Sequence, residues 1–214
     1  MILQTIPGEQ ASRETLQAFN GATALGVPVR WSKIPGDANE CHVGSVEFCE
    51  AALGFSPRPD YYPSWLNRWL YRGWWIHDGR PLKRTVFGKP ANGYKSRVAK
   101  IYNAGEDVPA DSIVTPVLLT FAAEWRYYVA DGKVVATGWY DGLDDDEPAP
   151  TIAIDWPEGF CGAVDFGRLV DGRIALVECQ HPYGCGNYLE NSEAVVYAQW
   201  IIKGWEWTLK QGAG

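Results

Sequence analysis

Three features of this 214-residue chain predict an α+β fold: capped helical patterns in its first third, β-prone runs with two Asp-Gly turns from Thr85 onward, and an amphipathic stretch near its end. With 46% hydrophobic residues, the chain can bury one sizeable core or two small lobes. Its texture changes near residue 80, which divides it into an N-terminal lobe over residues 1–80 and a second unit over residues 81–214.

The first 35 or so residues open polar and end in a strand-like run at Arg30 and Trp31, punctuated by Pro35-Gly36-Asp37. Between Val43 and Gly54, apolar Val46, Cys49, Ala52 and Leu53 fall on one helical face. Ser45 is the expected N-cap, its hydroxyl accepting from a first-turn N–H, and Gly54 the expected left-handed C-cap. Proline-rich SPRPDYYP then leads to a second short helix, Ser64–Tyr71. TVFGKP reads as a strand closed by proline, ANGYKSR as a glycine-containing loop and VAKIYN as another strand. The apolar run from Ser112 to Phe121 suits either strand or helix. Glu124–Val129 and Lys133–Thr137 flank Asp131-Gly132, a tight hairpin signal. Asp141–Pro150 reads as a mobile surface loop, whose Asp144, Asp145 and Asp146 lack the alternating oxygen pattern of a calcium-binding loop. SEAVVYAQWIIKGW forms the expected C-terminal helix.

A net charge of −7 weighs against nucleic acid as a partner bound by bulk positive charge. Five cysteines without a CxxC spacing suggest free thiols in a reducing compartment, with the cytoplasm as the expectation. No apolar run is long enough to span a membrane, and MILQTIPGEQ lacks the regions of a secretory signal. The 11 tryptophans suit burial in a core or lobe interface better than stacking on bases. Motifs for a P-loop, a dinucleotide fold, a zinc protease or a serine hydrolase are missing.

VDFGRLVDGRIALVECQ, residues 164–180, carries the most chemistry. If Asp171-Gly172 is a two-residue hairpin turn, Asp165 faces Glu178 across the ladder, and Gln180 points the same way as Glu178. Facing carboxylates repel unless neutralised, and a hard divalent cation such as Mg2+ takes such oxygen ligands. A solvated hairpin with its charges outward is the alternative. Polyphosphate on such a metal needs cations opposite it. Lys89 ends a short strand and Lys95 lies across the glycine loop, so both can project into one cleft from a flap; singly, each also reads as an ordinary solvated lysine. Arg126 sits in mid-strand, with Glu124 on the same face, and is paired either with Glu124 or with a phosphate.

Taken in order, VGSVEFCEAALG, PDYYPSWL, VFGKPANGYKS, EWRYYVADGKVV and VDFGRLVDGRIALVECQHPYGCGNY resemble motifs of the ATP-grasp superfamily, in the clade of phage and bacterial genomes named for an arginine and two lysines. The resemblance covers roughly Val43 to Tyr188. It implies an ATP-grasp fold of two α+β lobes clasping ATP, here with a small N-terminal α/β lobe. It also implies an ATP- and Mg2+-dependent ligase that joins a carboxylate to an amine or thiol through an acyl phosphate. Substrates of that kind are carried by a small molecule, a peptide or a protein.

By the same resemblance, Lys89 and Lys95 contact phosphates, Lys89 also the adenine edge, and Glu124 belongs to the nucleotide-binding strand. Arg126, with Lys95, serves the transferring phosphoryl group. Pro116, Val117 and Leu118 supply the backbone hinge against adenine, and Asp165, Glu178 and Gln180 ligate Mg2+. Gln180 departs from the asparagine of the pattern, giving the same amide oxygen on a longer arm. That departure and the short N-terminal lobe keep open a nucleotide-binding regulatory or interaction module, and a phosphotransferase acting on a hydroxyl or macromolecule is a separate alternative. His181 reads as a surface histidine at a strand end or as a base or substrate contact, and Cys185 as a small loop residue.

Overall fold

In the computed structural model, which describes residues 1–93, 96–142 and 147–212, the chain opens with a parallel crossover unit. β1 (Ile2–Gln4) leads through α1 (Arg13–Ala24) to β2 (Arg30–Ser32), and β3 (His42–Val43) adds on the far side of β1. α2 (Val46–Leu53) has the expected caps: Ser45 Oγ accepts from Phe48 N–H at 3.2 Å, and Gly54 adopts φ 75°. The second short helix is a 3-10 segment, Ser64–Trp69. α1 escapes a periodicity reading because its buried face consists of Thr15, Gln17, Ala18, Gly21 and Ala22, small or polar side chains that form no large apolar stripe.

Two antiparallel sheets follow. β4 (Trp75–Ile76), β5 (Val86–Pro90), β6 (Lys100–Tyr102) and β7 (Ser112–Thr115) make one, in the order β4-β7-β5-β6. β8 (Phe121–Ala130), β9 (Lys133–Gly142), β10 (Gly162–Leu169) and β11 (Ile174–Gln180) make the other, in the order β11-β10-β8-β9. The ambiguous run from Ser112 to Phe121 is thus strand β7 followed by a non-strand connection, residues 116–120, that leads into β8, and α3 (Ala194–Gly212) closes the chain.

The two Asp-Gly turns differ. Asp131 and Gly132 take φ 50° and 68° between paired Ala130 and Lys133, a two-residue turn that needs both residues left-handed. At the second, Leu169 N–H donates to Arg173 O, so the loop has three residues, Val170 to Gly172, with Gly172 at φ 87°. The near-turn register is then one residue short of the expected one, and a bulge at Val177 restores it: Phe166 faces Leu176, whereas Asp165 faces Glu178.

Alternation along β8 divides the large sheet between two cores. Trp125, Tyr127 and Val129 pack with Val164, Phe166, Leu176, Tyr61, Tyr62 and Leu66 on one face. Tyr128 and Ala130 pack with Ala163, Tyr197, Trp200, α1 and β1 on the other. Trp200 carries its indole N–H into that second core and donates to Val129 O at 3.0 Å, so burying the large ring leaves no polar atom unpaired. Asp141–Pro150 is not a mobile loop along its described part: β9 continues to Gly142, Glu147 O accepts from Trp125 Nε1 at 2.7 Å, and Pro150 O accepts from Tyr127 Oη at 2.6 Å. Asp144, Asp145 and Asp146 lie outside the described residues.

Helices α1 and α3 meet at Gly21, where a Cβ would overlap the Ala194 carbonyl oxygen and crowd Ala198. Gly21→Ala gains about 1 kcal/mol of helix propensity but forces the helices apart. It is expected to lower stability by about 1–3 kcal/mol net in urea unfolding, the reverse of the sign for an exposed helical glycine.

Candidate functional site

Register builds the site. Gly138, Arg126, Asp165 and Glu178 lie in one row across β9, β8, β10 and β11, on the face that carries Tyr128 and Ala163 one step further along. That face is apolar where α3 covers it and charged where α3 ends. Its central pair is buried: Arg126 Nε donates to Asp165 Oδ1 at 2.8 Å and Nη2 to Oδ2 at 2.7 Å, with side chains 4% and 2% exposed. Because both Asp165 oxygens accept, the carboxyl carries no proton in this geometry. Burial pushes the Asp165 pKa up while the guanidinium pulls it back, and the net direction is upward. Burial lowers and Asp165 raises the Arg126 pKa, leaving it well above its ordinary value.

The third guanidinium nitrogen, Nη1, donates to Gly186 O at 2.7 Å. This bond ties the segment after β11 over the sheet. Gly138 leaves the room required, since a Cβ there would stand 2.8 Å from the Tyr188 carbonyl oxygen. Tyr188 N–H donates to Tyr128 Oη at 2.9 Å, and Asn187 N–H to Glu14 Oε1 at 3.2 Å, so helix α1 anchors the same segment. The rings of Tyr140 and Tyr188 stack 4.8 Å apart, and both flank the guanidinium.

Arg126 is therefore paired with Asp165. The same-face partner considered from sequence, Glu124, instead accepts from Tyr140 Oη, and burial raises its pKa. At the row's other end Lys89, from β5 of the smaller sheet, reaches across to Glu178 Oε2, and Gln180 Nε2 donates to Glu178 Oε1. Lys89 is no solvated lysine: it is buried, with its ammonium 4.8 Å from the Tyr61 ring centre and 5.6 Å from those of Tyr62 and Phe87. Burial lowers its pKa, but Glu178 and the two tyrosines outweigh that and hold it above its ordinary value.

A cavity of about 340 Å³ opens at this junction, lined by Lys89, Glu178, Gln180, Arg97, Tyr61 and Gly184 among others. Arg97 is a cation that sequence reasoning left unassigned; Asp111 Oδ1 accepts from its Nη1 at 2.7 Å. Only its place in the glycine loop beside Lys95 signalled it. Tyr140 was hidden for a different reason, a register shift in β8–β9 that breaks the alternation. Pro116, Val117 and Leu118 form the connection between the two sheets and do not line this cavity; Val117 and Leu118 are exposed. Lys95 lies outside the described residues.

Asp165, Glu178 and Gln180 share one sheet face, and their carboxylates, with the amide oxygen once it is turned inward, are the donor types that a hard divalent cation takes beside phosphate oxygens and water. Among the described residues no group of three or more His, Cys, Asp and Glu side chains is placed to hold a metal. No described helix is long and apolar enough to cross a membrane, and all five cysteines are thiols. His181 directly follows β11 and is half-buried rather than fully exposed. Its ring packs 5.6 Å from Tyr183 and 5.9 Å from Trp207, and burial brings its pKa down to about 4.

Residues 70–198 match the model of an ATP-grasp domain family, family 2 of the clade named for an arginine and two lysines. No curated protein matches the chain. Among solved structures, it is similar to the D-cycloserine synthetase DcsG, at 13% identity over 95% of this chain and 99% of that one, with a TM-score of 0.54. It also matches a RimK domain ATP-grasp protein from Sphaerobacter thermophilus DSM 20745, at 11% identity over 94% and 99% of the two chains and a TM-score of 0.49. D-alanine–D-alanine ligase from Bacillus anthracis follows at 12% identity over 99% and 98%, with a TM-score of 0.48. The likeness to DcsG is one of fold.

Arg126→Met strands a buried carboxylate and is expected to cost about 3–5 kcal/mol in urea unfolding, most of which Arg126→Met with Asp165→Leu recovers. His181, neutral when folded, binds a proton more readily unfolded, so the stability it confers is complete above pH 6.5 and falls as pH drops toward about 4. His181→Phe should remove that pH dependence, at most about 3 kcal/mol across the window, read from unfolding curves at a series of pH values.

Proposed function

The chain belongs to the ATP-grasp domains, in family 2 of the clade named for an arginine and two lysines, and from that premise we propose that it is an ATP- and Mg2+-dependent ligase. It joins a carboxylate to an amine or thiol through an acyl phosphate. The observation that carries this reading is the meeting of Lys89 with Glu178 at the cavity between two sheets, beside the buried Arg126–Asp165 pair. Cations from one side and carboxylates from the other are what a metal-bound triphosphate needs.

In this reading, residues 1–80 form the small N-terminal lobe and residues 81–214 the nucleotide-binding unit. Asp165, Glu178 and Gln180 would hold Mg2+, which would offset phosphate charge when bound. Lys89 and Arg97 bind phosphate oxygens, with Lys95 assigned by family resemblance alone. Arg126 acts largely by positioning, since Asp165 and Gly186 engage all three of its nitrogens; it fixes the Asp165 carboxylate and the segment that closes over it. The substrate carboxylate attacks the γ phosphorus in line and ADP departs. The amine then attacks the acyl carbon of the acyl phosphate, releasing inorganic phosphate and, after loss of a proton, the amide. Val98 and Ala99 at the cavity rim belong to the segment that would exclude water from the acyl phosphate.

ADP release measured against panels of amino acids and peptides should rise with a particular carboxylate and amine pair. Glu178→Ala should reduce Mg2+-dependent turnover at least a hundredfold, a loss of about 2.7 kcal/mol of transition-state stabilisation. Full activity in that variant would overturn the site. Tight binding of Mg-ATP without turnover would identify a regulatory module instead, and a stable phosphorylated product a phosphotransferase.

A further inference from the structure

Glu178 is half of the expected metal site, yet both its oxygens face N–H donors: the Lys89 ammonium at Oε2 and the Gln180 amide nitrogen at Oε1. Nothing in the geometry leaves Lys89 idle. Tyr61, Tyr62 and Phe87 surround the ammonium and fix it against the carboxylate, and the side chain is 8% exposed. Asp165 on the neighbouring strand is balanced in the same manner by Arg126. Each acidic group of the row thus has its own internal cation, and the row is neutral as it stands.

We infer that the Lys89 ammonium occupies the place of the metal at Glu178, so that a divalent cation binds there only by displacing it. This rests on the assignment of Glu178 as a metal ligand. Displacement has two parts. Lys89 must leave Oε2, and the Gln180 amide must turn so that its oxygen replaces its nitrogen toward the ion. The freed ammonium then stands beside the cavity with no carboxylate partner, which costs energy in a buried setting unless an anion arrives. Phosphate oxygens supply that anion. Metal and polyphosphate are therefore bound together, each offsetting the charge that the other uncovers, while either alone binds weakly.

Mn2+ alone, titrated into the full chain without nucleotide and followed by electron paramagnetic resonance, tests this. Lys89→Met fits the aromatic surroundings and removes the ammonium; it is expected to bind Mn2+ about tenfold more tightly than the wild-type chain. Its melting temperature should rise further with Mn2+ than that of the wild type. Lys89→Gln, which retains a hydrogen-bond donor without charge, gives the same comparison if Lys89→Met does not fold. Equal or weaker Mn2+ binding in the folded variant overturns the inference, while the ligase reading stands as long as Glu178→Ala abolishes binding. If neither the wild type nor the variants bind Mn2+ alone, this inference falls, and the metal assignment falls with it only if Mn2+ titrated together with ATP also fails to bind.

Discussion

A buried arginine–aspartate pair in the middle of a four-stranded sheet constrains everything around it. Neither member tolerates isolation, because a lone charge at that depth would lose its water without compensation. Strands β8 and β10 must therefore keep their register, Gly186 must bring its carbonyl to Nη1, and Gly138 must stay small to admit Tyr188 just beyond it. Through Asn187, helix α1 is drawn into the same arrangement. A polar interaction that contributes little net stability on its own thus specifies how distant parts of the chain fit together.

The position of the site follows from how one sheet face is shared. Tyr128, Ala130 and Ala163 are covered by α3, and one alternation step along the same strands come Arg126 and Asp165. Core and site are continuous, so the charged row inherits the rigidity of the packing beneath α3. The Arg126–Asp165 end of the row is therefore preorganised, and the rearrangement that a ligand demands falls on Lys89 and the Gln180 amide at the other end.

Much of this was legible in the sequence. Capped α2, the turn at Asp131-Gly132 and the facing of Asp165 with Glu178 followed from local rules that the structure obeys. The last was reached by an incorrect route, since the loop has three residues and a bulge restores the register. What stayed hidden depended on long-range packing. α1 buries threonine, glutamine and glycine, which no hydrophobic pattern reveals, and Arg126 chose Asp165 over its same-strand neighbour Glu124 because β10 lies beside it. Burial of Lys89 beneath Tyr61 and Tyr62 joins residues far apart in sequence, so no local window contains it.

The bulge at Val177 has a consequence for how this protein can change. Its extra residue sets the parity of β11: Cys179 falls among the aromatic rings and Glu178 and Gln180 on the charged face. Pairing Val177 regularly, opposite Asp165, would exchange those roles, sending a carboxylate into the apolar core and a thiol to the site with composition untouched. Deleting Val177 outright would leave Leu176 on Phe166 and Glu178 on Asp165, so the faces depend on that residue staying out of the ladder rather than on the length of the strand. In β11 the conformation of one unpaired residue decides which side chains reach the site.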